Sequence, residues 1–186
     1  MPSDFLDTIK SRPLVFDGAM GTMIYQKGVY VNACYDELCL SRPALISEIH
    51  RAYVEAGADV IEANSFGANR IRLAEYGLAE KTAAINAKAV ELARREAGDS
   101  VFVAASCGPC TRNEPGHAPI SKAEISDAFH EQTRVLAEAG ADFILLETFA
   151  DIEELLIAAA AARAAGIPVM ASASPAAFQN SSAAEI

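Results

Sequence analysis

Short apolar runs alternate with amphipathic stretches along the chain, and this alternation predicts strands joined by helices. Each apolar run is only a few residues long and stops at a polar residue or a glycine, which is typical of a buried strand that ends in a loop. We predict strands at residues 14–17, 60–64, 101–106, 143–147 and 168–172. We predict helices at residues 43–56, 80–97, 121–139 and 152–165.

The helix ends carry sequence signals of their own. Pro43 stands in the first turn of the first predicted helix, and Gly57 follows its last turn. Ser121 and Glu124 match the capping box, in which a serine oxygen and a glutamate carboxylate bind free backbone amides reciprocally. We therefore place helix starts at residues 43 and 121.

The order of these elements indicates the fold class. Strands separated by helices of this length need crossover connections, which make the strands parallel and place the helices outside. The segment Glu55-Ala-Gly-Ala-Asp-Val-Ile61 recurs as Glu138-Ala-Gly-Ala-Asp-Phe-Ile144, each time where a helix ends and a strand begins. This repeat favours an α/β fold of the (β/α)8 TIM-barrel type, and no Gly-x-Gly-x-x-Gly follows a strand to support a dinucleotide fold.

Length sets a limit on that barrel. A complete (β/α)8 barrel typically needs about 250 residues, and this chain has 186. We expect an incomplete barrel of about five strands and four helices in residues 1–173, followed by a low-complexity tail at residues 174–186.

Composition narrows the function classes. Hydrophobic residues make up 52% of the chain, which is ample for the core of one domain. The formal charge of −10 argues against binding to nucleic acid or to an anionic membrane surface. We find neither a signal peptide pattern nor the roughly 18 apolar residues of a membrane span, so we expect a cytoplasmic protein whose cysteines are reduced.

The candidate site residues stand at the strand ends, because active sites of parallel α/β folds lie at the carboxyl ends of strands. Asp17 and Glu147 are each flanked by strongly apolar residues, where a carboxylate is costly to bury unless it meets a cation or several donors. A substrate ammonium group would be such a partner, and so would a structural hydrogen bond or a lysine. The other polar residues at strand ends are Glu62, Asn64, Ser106, Cys107, Thr148 and Ser172.

Two further features are less specific. Gly18 and Gly21 follow the first predicted strand and leave backbone amides open to an anion such as a carboxylate, although an ordinary glycine turn would look the same. Cys107 and Cys110 form a Cys-x-x-Cys pair that could be redox-active or half of a zinc site. The remaining two cysteines have a different spacing, so unpaired thiols without a metal are favoured.

Four motifs, taken in order, resemble the homocysteine S-methyltransferase family. They are Leu14-Val-Phe-Asp-Gly-Ala-Met-Gly-Thr-Met23, Glu62-Ala-Asn-Ser-Phe-Gly-Ala68, Gly108-Pro109 and Leu145-Leu-Glu-Thr-Phe149. The likeness covers roughly residues 10–173. It is a likeness to the homocysteine-binding module as found in cobalamin-dependent methionine synthase and in the bifunctional proteins that join this module to a methylenetetrahydrofolate reductase. It implies a barrel in which homocysteine, held as a thiolate on zinc, accepts a methyl group to give methionine.

The resemblance also assigns a substrate site. In this family, acids lie near the homocysteine amino group, and the backbone of the first loop lies around the amino acid. The end of the second strand forms a wall of the pocket. The corresponding residues here are Asp17, Glu147, Gly18, Ala19, Asn64 and Phe66.

The zinc ligands of the family lie later in the barrel, on a late strand and in a Gly-Gly-Cys-Cys-type motif near the eighth strand. All four cysteines of this chain precede its fourth predicted strand, so we expect the zinc ligands to be missing from it and do not assign Cys107 as one. The sequence leaves the methyl donor open, with methylcobalamin or a methylfolate-linked donor expected.

Three interpretations follow. The favoured one is a truncated methyltransferase that is inactive alone. The second is a half-barrel module that binds homocysteine and is completed by a partner or by a second copy of the chain. The third is a dithiol redox or metal-binding protein that acts through Cys107 and Cys110.

Overall fold

The computed structural model describes residues 5–30, 32–110 and 120–174. The tail predicted at residues 174–186 therefore lies almost wholly outside the described residues. The described residues form α-helices, a short 3-10 turn and a β-sheet. The helices are α1 Phe5–Ser11, α2 Met20–Gln26, α3 Leu38–Ser41, α4 Pro43–Glu55, α5 Arg70–Ala74, α6 Thr82–Ala97, α7 Lys122–Glu138 and α8 Ile152–Ala164, and the 3-10 turn is Ala79–Lys81. The strands are β1 Val60–Ala63, β2 Phe102–Cys107, β3 Phe143–Phe149 and β4 Val169–Ala173.

The sheet has the order β1-β2-β3-β4, and every pair is parallel. Each crossover passes through a long helix, as in part of a TIM-type barrel, so the predicted α/β fold with a parallel sheet is confirmed. The four predicted helices correspond to α4, α6, α7 and α8 within two residues at each end. At the start of α7, Ser121 and Glu124 form the capping box that the sequence predicted.

The first predicted strand is the main difference. Residues 14–17 form only an isolated parallel bridge between Phe16 and Val60. The amide of Asp17 donates to the carbonyl oxygen of Val60 at 2.9 Å, and the amide of Asp59 donates to that of Val15 at 2.8 Å. The segment pairs with β1 on one side and lies between α1 and α2, so its extended part is too short to count as a fifth strand.

The short helices α1, α2, α3 and α5 were not predicted. Each has seven residues or fewer, which is too short for an apolar repeat at helical spacing to stand out. They lie in what the sequence indicated to be the amino terminus and long loops.

The two faces of the sheet have different neighbours, because successive side chains of a strand point to opposite faces. Ile61, Val103 and Ile144 belong to the large core cluster together with buried residues of the long helices. Phe102 and Phe143 point to the other face, which we call the inner face, and pack against Phe5 of α1. The Phe5 ring stacks on that of Phe143 with a centroid distance of 3.9 Å. Helix α1 therefore closes the inner face at the amino ends of the strands.

Polar residues occupy the same face at the carboxyl ends. Glu62 follows Val60 by two positions, Ser106 follows Ala104, and Glu147 follows Leu145, so strand alternation turns all three inward. Directly after Glu147, Thr148 has a φ of 67°, and the register between β3 and β4 shifts at this point. The inner face is thus apolar where α1 covers it and polar where the strands end.

Candidate functional site

A cavity of about 580 Å3 lies at the carboxyl ends of β1, β2 and β3 and the loop that follows Phe16. A volume of this size is within the range of small-molecule sites. All six residues that the sequence predicted for the site line this one cavity. They are Asp17, Gly18, Ala19, Asn64, Phe66 and Glu147.

Four acids line the cavity, and three of them, Asp17, Glu62 and Glu147, lie close enough together for their charges to interact. The amide of Glu62 donates to Oδ2 of Asp17 at 3.0 Å. Oδ1 of Asp17 is buried and has no hydrogen-bond partner among residues 5–30, 32–110 and 120–174. The hydroxyl of Ser106 donates to Oε1 of Glu147, which ties the ends of β2 and β3 together.

Burial and repulsion from neighbouring carboxylates raise the pKa values of Asp17 and Glu62. Burial raises the pKa of Asp17 to about 7, with a further contribution from the charge of Glu147. Burial also raises the pKa of Glu62 to about 8, and the nearby Glu147 and Asp17 charges add to the effect. In the described parts of the chain none of the three acids has a salt bridge to a basic side chain. A ligand cation would lower both raised pKa values, because it would favour the ionised carboxylates.

Gly18 and Ala19 form one wall of the cavity, where the chain enters α2. A β-carbon at Gly18 would lie 3.0 Å from the hydroxyl oxygen of Tyr53, so a larger residue would push against that ring. Ala19 accepts a long hydrogen bond of 3.5 Å from the Tyr53 hydroxyl. Tyr53 therefore holds this loop in place beside Asp17.

Asn64 and Phe66 form the wall after β1, but they contribute differently. The Asn64 amide donates to the carbonyl oxygen of Tyr35 at 2.7 Å and is almost fully buried, so it supports the loop more than it faces a ligand. The Phe66 ring lies against Gly108, where a β-carbon would come within 2.4 Å of the ring. Gly108 of the third motif is thus needed for the ring of the second motif to lie there.

The structure adds residues that the sequence analysis did not select. Glu62 and Ser106 were recognised as strand-end residues, and their place on the inner face could have been inferred from strand alternation. Asp36 and Arg72 also line the cavity, but they come from a loop and a short helix for which the sequence gives no signal. Ser172, another strand-end candidate, is exposed and not among the lining residues.

The three buried cysteines, Cys39, Cys107 and Cys110, do not fit a zinc-thiolate site. Cys107 and Cys110 are buried in the main core cluster, and burial raises the pKa of both thiols. Burial also raises the pKa of Cys39 to about 12. The thiolate is the form that binds metal or reacts in redox exchange. Among the residues that the structure describes, no group of three or more His, Cys, Asp or Glu side chains could hold a metal ion.

No helix in the described ranges is both long and apolar enough to cross a membrane.

Comparison with known proteins agrees with this fold and this set of motifs. The sequence model of the family described as homocysteine S-methyltransferase matches residues 14–183. The chain therefore belongs to the homocysteine S-methyltransferase family. The match extends into the segment that the sequence analysis assigned to a low-complexity tail.

Two curated relatives are methionine synthases from mycobacteria. The chain is 35% identical over 176 residues to the protein from Mycobacterium tuberculosis (strain ATCC 25618 / H37Rv) and 33% identical over 176 residues to that from Mycobacterium leprae (strain TN). Each match covers 88% of this chain, but only 15% and 14% of the respective relative. The chain thus corresponds to a small part of these proteins.

Solved structures of the homocysteine methyltransferase MmuM from Escherichia coli have the same fold. The metallated form matches with a TM-score of 0.77 at 24% identity, over 91% of this chain and 65% of that one. The oxidized form matches with a TM-score of 0.78 at 26% identity, over 90% and 64%. The chain spans slightly less than two thirds of the length of these structures.

Proposed function

We propose that the cavity binds homocysteine and presents it as the acceptor of a methyl group, giving methionine. The observation that carries this proposal is Oδ1 of Asp17, a buried carboxylate oxygen without a partner in the described residues, which lies in a cavity shared with Glu62 and Glu147. An ammonium group has three donors and one positive charge, so it would satisfy this oxygen and offset the repulsion among the three acids. Family membership makes homocysteine the amino acid to test first.

The roles of the lining residues follow from their contacts. Asp17 and Glu147 would bind the ammonium group, and Ser106 would hold Glu147 in place through its hydrogen bond. Gly18 and Ala19 would lie beside the amino acid, and Phe66 would cover its side chain. Asn64 would keep the loop after β1 in position through its bond to Tyr35.

The sulfur chemistry needs groups other than the described cysteines. Attack on a methyl group requires a thiolate, and the family implies zinc as the ion that would generate it. Because Cys39, Cys107 and Cys110 are buried thiols, we assign them no metal and no step in the transfer. A separate dithiol function of Cys107 and Cys110 is not supported, since burial raises the pKa of both.

The likeness to methionine synthases favours methylcobalamin or a methylfolate-linked compound as the methyl donor. The cytoplasmic location expected from the sequence stays a prediction.

Isothermal titration calorimetry with the 186-residue chain tests the proposal. Homocysteine should bind, whereas 4-sulfanylbutanoate, which lacks only the amino group, should bind at least about tenfold more weakly, since a hydrogen bond to a charged group contributes about 1.5–3 kcal/mol. Asp17→Asn and Glu147→Gln should weaken homocysteine binding, and Asp127→Asn, an exposed acid of α7 outside the cavity, should not. Equal affinity for the two ligands would contradict the proposal.

The same titration can test the cysteines. Replacement of both Cys107 and Cys110 by alanine should leave homocysteine affinity unchanged, provided that the variant folds as judged by circular dichroism. Stoichiometric zinc in the purified chain that is lost in this double variant would show that the two cysteines bind metal and would overturn the assignment made here.

A further inference from the structure

Arg72 lies on the wall of the same cavity as the three acids. It belongs to α5, and its backbone amide donates to Oδ1 of Asn69, the residue that caps this helix, at 2.9 Å. The cap fixes the first turn of α5 and with it the point from which the Arg72 side chain extends. The cavity therefore has a positively charged residue in addition to its carboxyl groups.

Arg72 differs from the other arginine that is half-buried in the described chain. Arg94 donates to Oδ2 of Asp142 at 2.6 Å and to the carbonyl oxygen of Gly140 at 3.0 Å. Nε of Arg72 is buried without a hydrogen-bond partner, and within the described ranges no carboxylate oxygen lies within 4.0 Å of its guanidinium nitrogens. Arg94 is thus paired, whereas Arg72 has no such partner among the residues that the structure describes.

Asp36, whose pKa is affected by the charge of Arg72, already has hydrogen-bond partners of its own. Its Oδ1 accepts a hydrogen bond from the amide of Gly67 at 2.9 Å, and Cys34 lies 4.0 Å from Oδ2. Burial raises the pKa of Asp36 to about 6, and the charge of Arg72 opposes that rise only as a lesser cause. Asp36 influences Arg72 at a distance but does not form an ion pair with it.

An unpaired guanidinium in a cavity is suited to bind an anion. A partly desolvated charge without a partner is unfavourable, and the planar group of arginine matches a carboxylate with two parallel hydrogen bonds. The cavity of about 580 Å3 is within the size range of small-molecule sites. Tyr76, which also lines it, follows Arg72 by four residues, beyond the end of α5, and adds an aromatic side chain to the wall.

We propose that Arg72 is a binding residue for a carboxylate group, so that the cavity receives an ammonium group at Asp17 and a carboxylate at Arg72. The inference rests on the proposed function for the identity of the ligands. Two molecules in the reaction could supply the carboxylate: homocysteine itself, or a methyl donor that carries one.

The test compares ligands that differ in this group alone. Titration calorimetry is run with homocysteine and with 3-aminopropane-1-thiol, which lacks only the carboxylate. Glycine betaine, which is not the donor proposed above but is a small methyl donor with a carboxylate, is added to the homocysteine-saturated chain as the probe for a donor carboxylate. The variants are Arg72→Gln, Arg72→Lys, which keeps the charge, and Arg163→Gln, an exposed arginine of α8 outside the cavity.

If homocysteine supplies the carboxylate, Arg72→Gln lowers its affinity about tenfold or more and leaves that of 3-aminopropane-1-thiol within about twofold. If the donor supplies it, Arg72→Gln weakens only the binding of betaine. In either case Arg72→Lys retains part of the affinity and Arg163→Gln has no effect. The proposal is overturned if Arg72→Gln changes the affinity for neither homocysteine nor betaine. It is also overturned if the substitution lowers the affinity for 3-aminopropane-1-thiol as much as that for homocysteine.

Failure of the proposed function would look different. The unmodified chain would then bind neither homocysteine nor 3-aminopropane-1-thiol. Betaine is in that case titrated into the free chain: binding that Arg72→Gln abolishes supports the carboxylate site, and absence of such binding overturns it.

Discussion

The backbone amide of Glu62 donates a hydrogen bond to Oδ2 of Asp17 at 3.0 Å, while Oδ1 of the same carboxylate is buried without a partner in the described residues. The hydrogen bond from this amide lowers the pKa of Asp17 less than burial raises it, so the pKa rises to about 7. Burial and two neighbouring acids raise the pKa of Glu62 to about 8. The folded chain therefore keeps protons on these acids at pH values where the unfolded chain has lost them.

This difference predicts that the free energy of unfolding decreases as pH rises. The ordinary pKa values are 3.8 for Asp17 and 4.5 for Glu62, and both are raised on folding. Their contribution to stability is thus fully present below about pH 4 and is lost as the pH rises through 7 to 8. Urea unfolding between pH 5.5 and about 8.5 should show a decrease for the wild type and a flatter profile for Asp17→Asn/Glu62→Gln. Parallel profiles for the two proteins would contradict the raised pKa values, and Asp127→Asn is the control.

Ligand binding should reverse the protonation of the acids. An ammonium group favours ionised carboxylates, so binding at pH 7 should release protons from Asp17 and Glu62. Methionine is the suitable probe, because it has the same ammonium group as homocysteine and no thiol proton. Calorimetry in two buffers with different ionisation enthalpies should give different heats, and the difference should shrink in Asp17→Asn. Heats that do not depend on the buffer would show that the acids bind the ligand without changing protonation, or do not bind it.

Much of the fold could be predicted because its signals are local. Helix α7 was placed by Ser121 and Glu124, whose capping contacts are formed as expected. Residues 14–17 have the composition of a buried strand, yet they pair only at Phe16, since strand formation depends on neighbours that the local sequence does not show. Helices α2 and α5 are too short to produce a repeat of apolar positions.

The residues of the site likewise fall into those that local sequence could predict and those that it could not. Asp17 and Glu147 stand at strand ends, and in a parallel sheet strand ends meet at one edge, so their proximity follows from the order of elements. Asp36 and Arg72 reach the cavity through a loop and a short helix, whose paths are set by tertiary contacts such as the bond from Gly67 to Asp36. No pattern in the sequence predicts those tertiary contacts.

The close approach of Gly108 and Phe66 predicts a non-additive pair of substitutions. In Gly108→Ala the new β-carbon would lie 2.4 Å from the Phe66 ring. The ring is the flexible end of a partly exposed side chain, so it should swing aside at a cost of about 1 kcal/mol in the free energy of unfolding and intrude on the ligand cavity. In a Phe66→Ala background the same change should cost much less. A double-mutant cycle by urea unfolding checks this, and an equal cost in both backgrounds would show that the contact is not formed.

A crystal structure of the chain with homocysteine tests the central claim most directly. We predict that the ligand nitrogen lies within hydrogen-bond distance, about 3 Å, of Oδ1 of Asp17 and of the Glu147 carboxylate, with the sulfur directed away from them. Homocysteine bound elsewhere, or bound in this cavity with its amino group turned away from Asp17, would contradict the account.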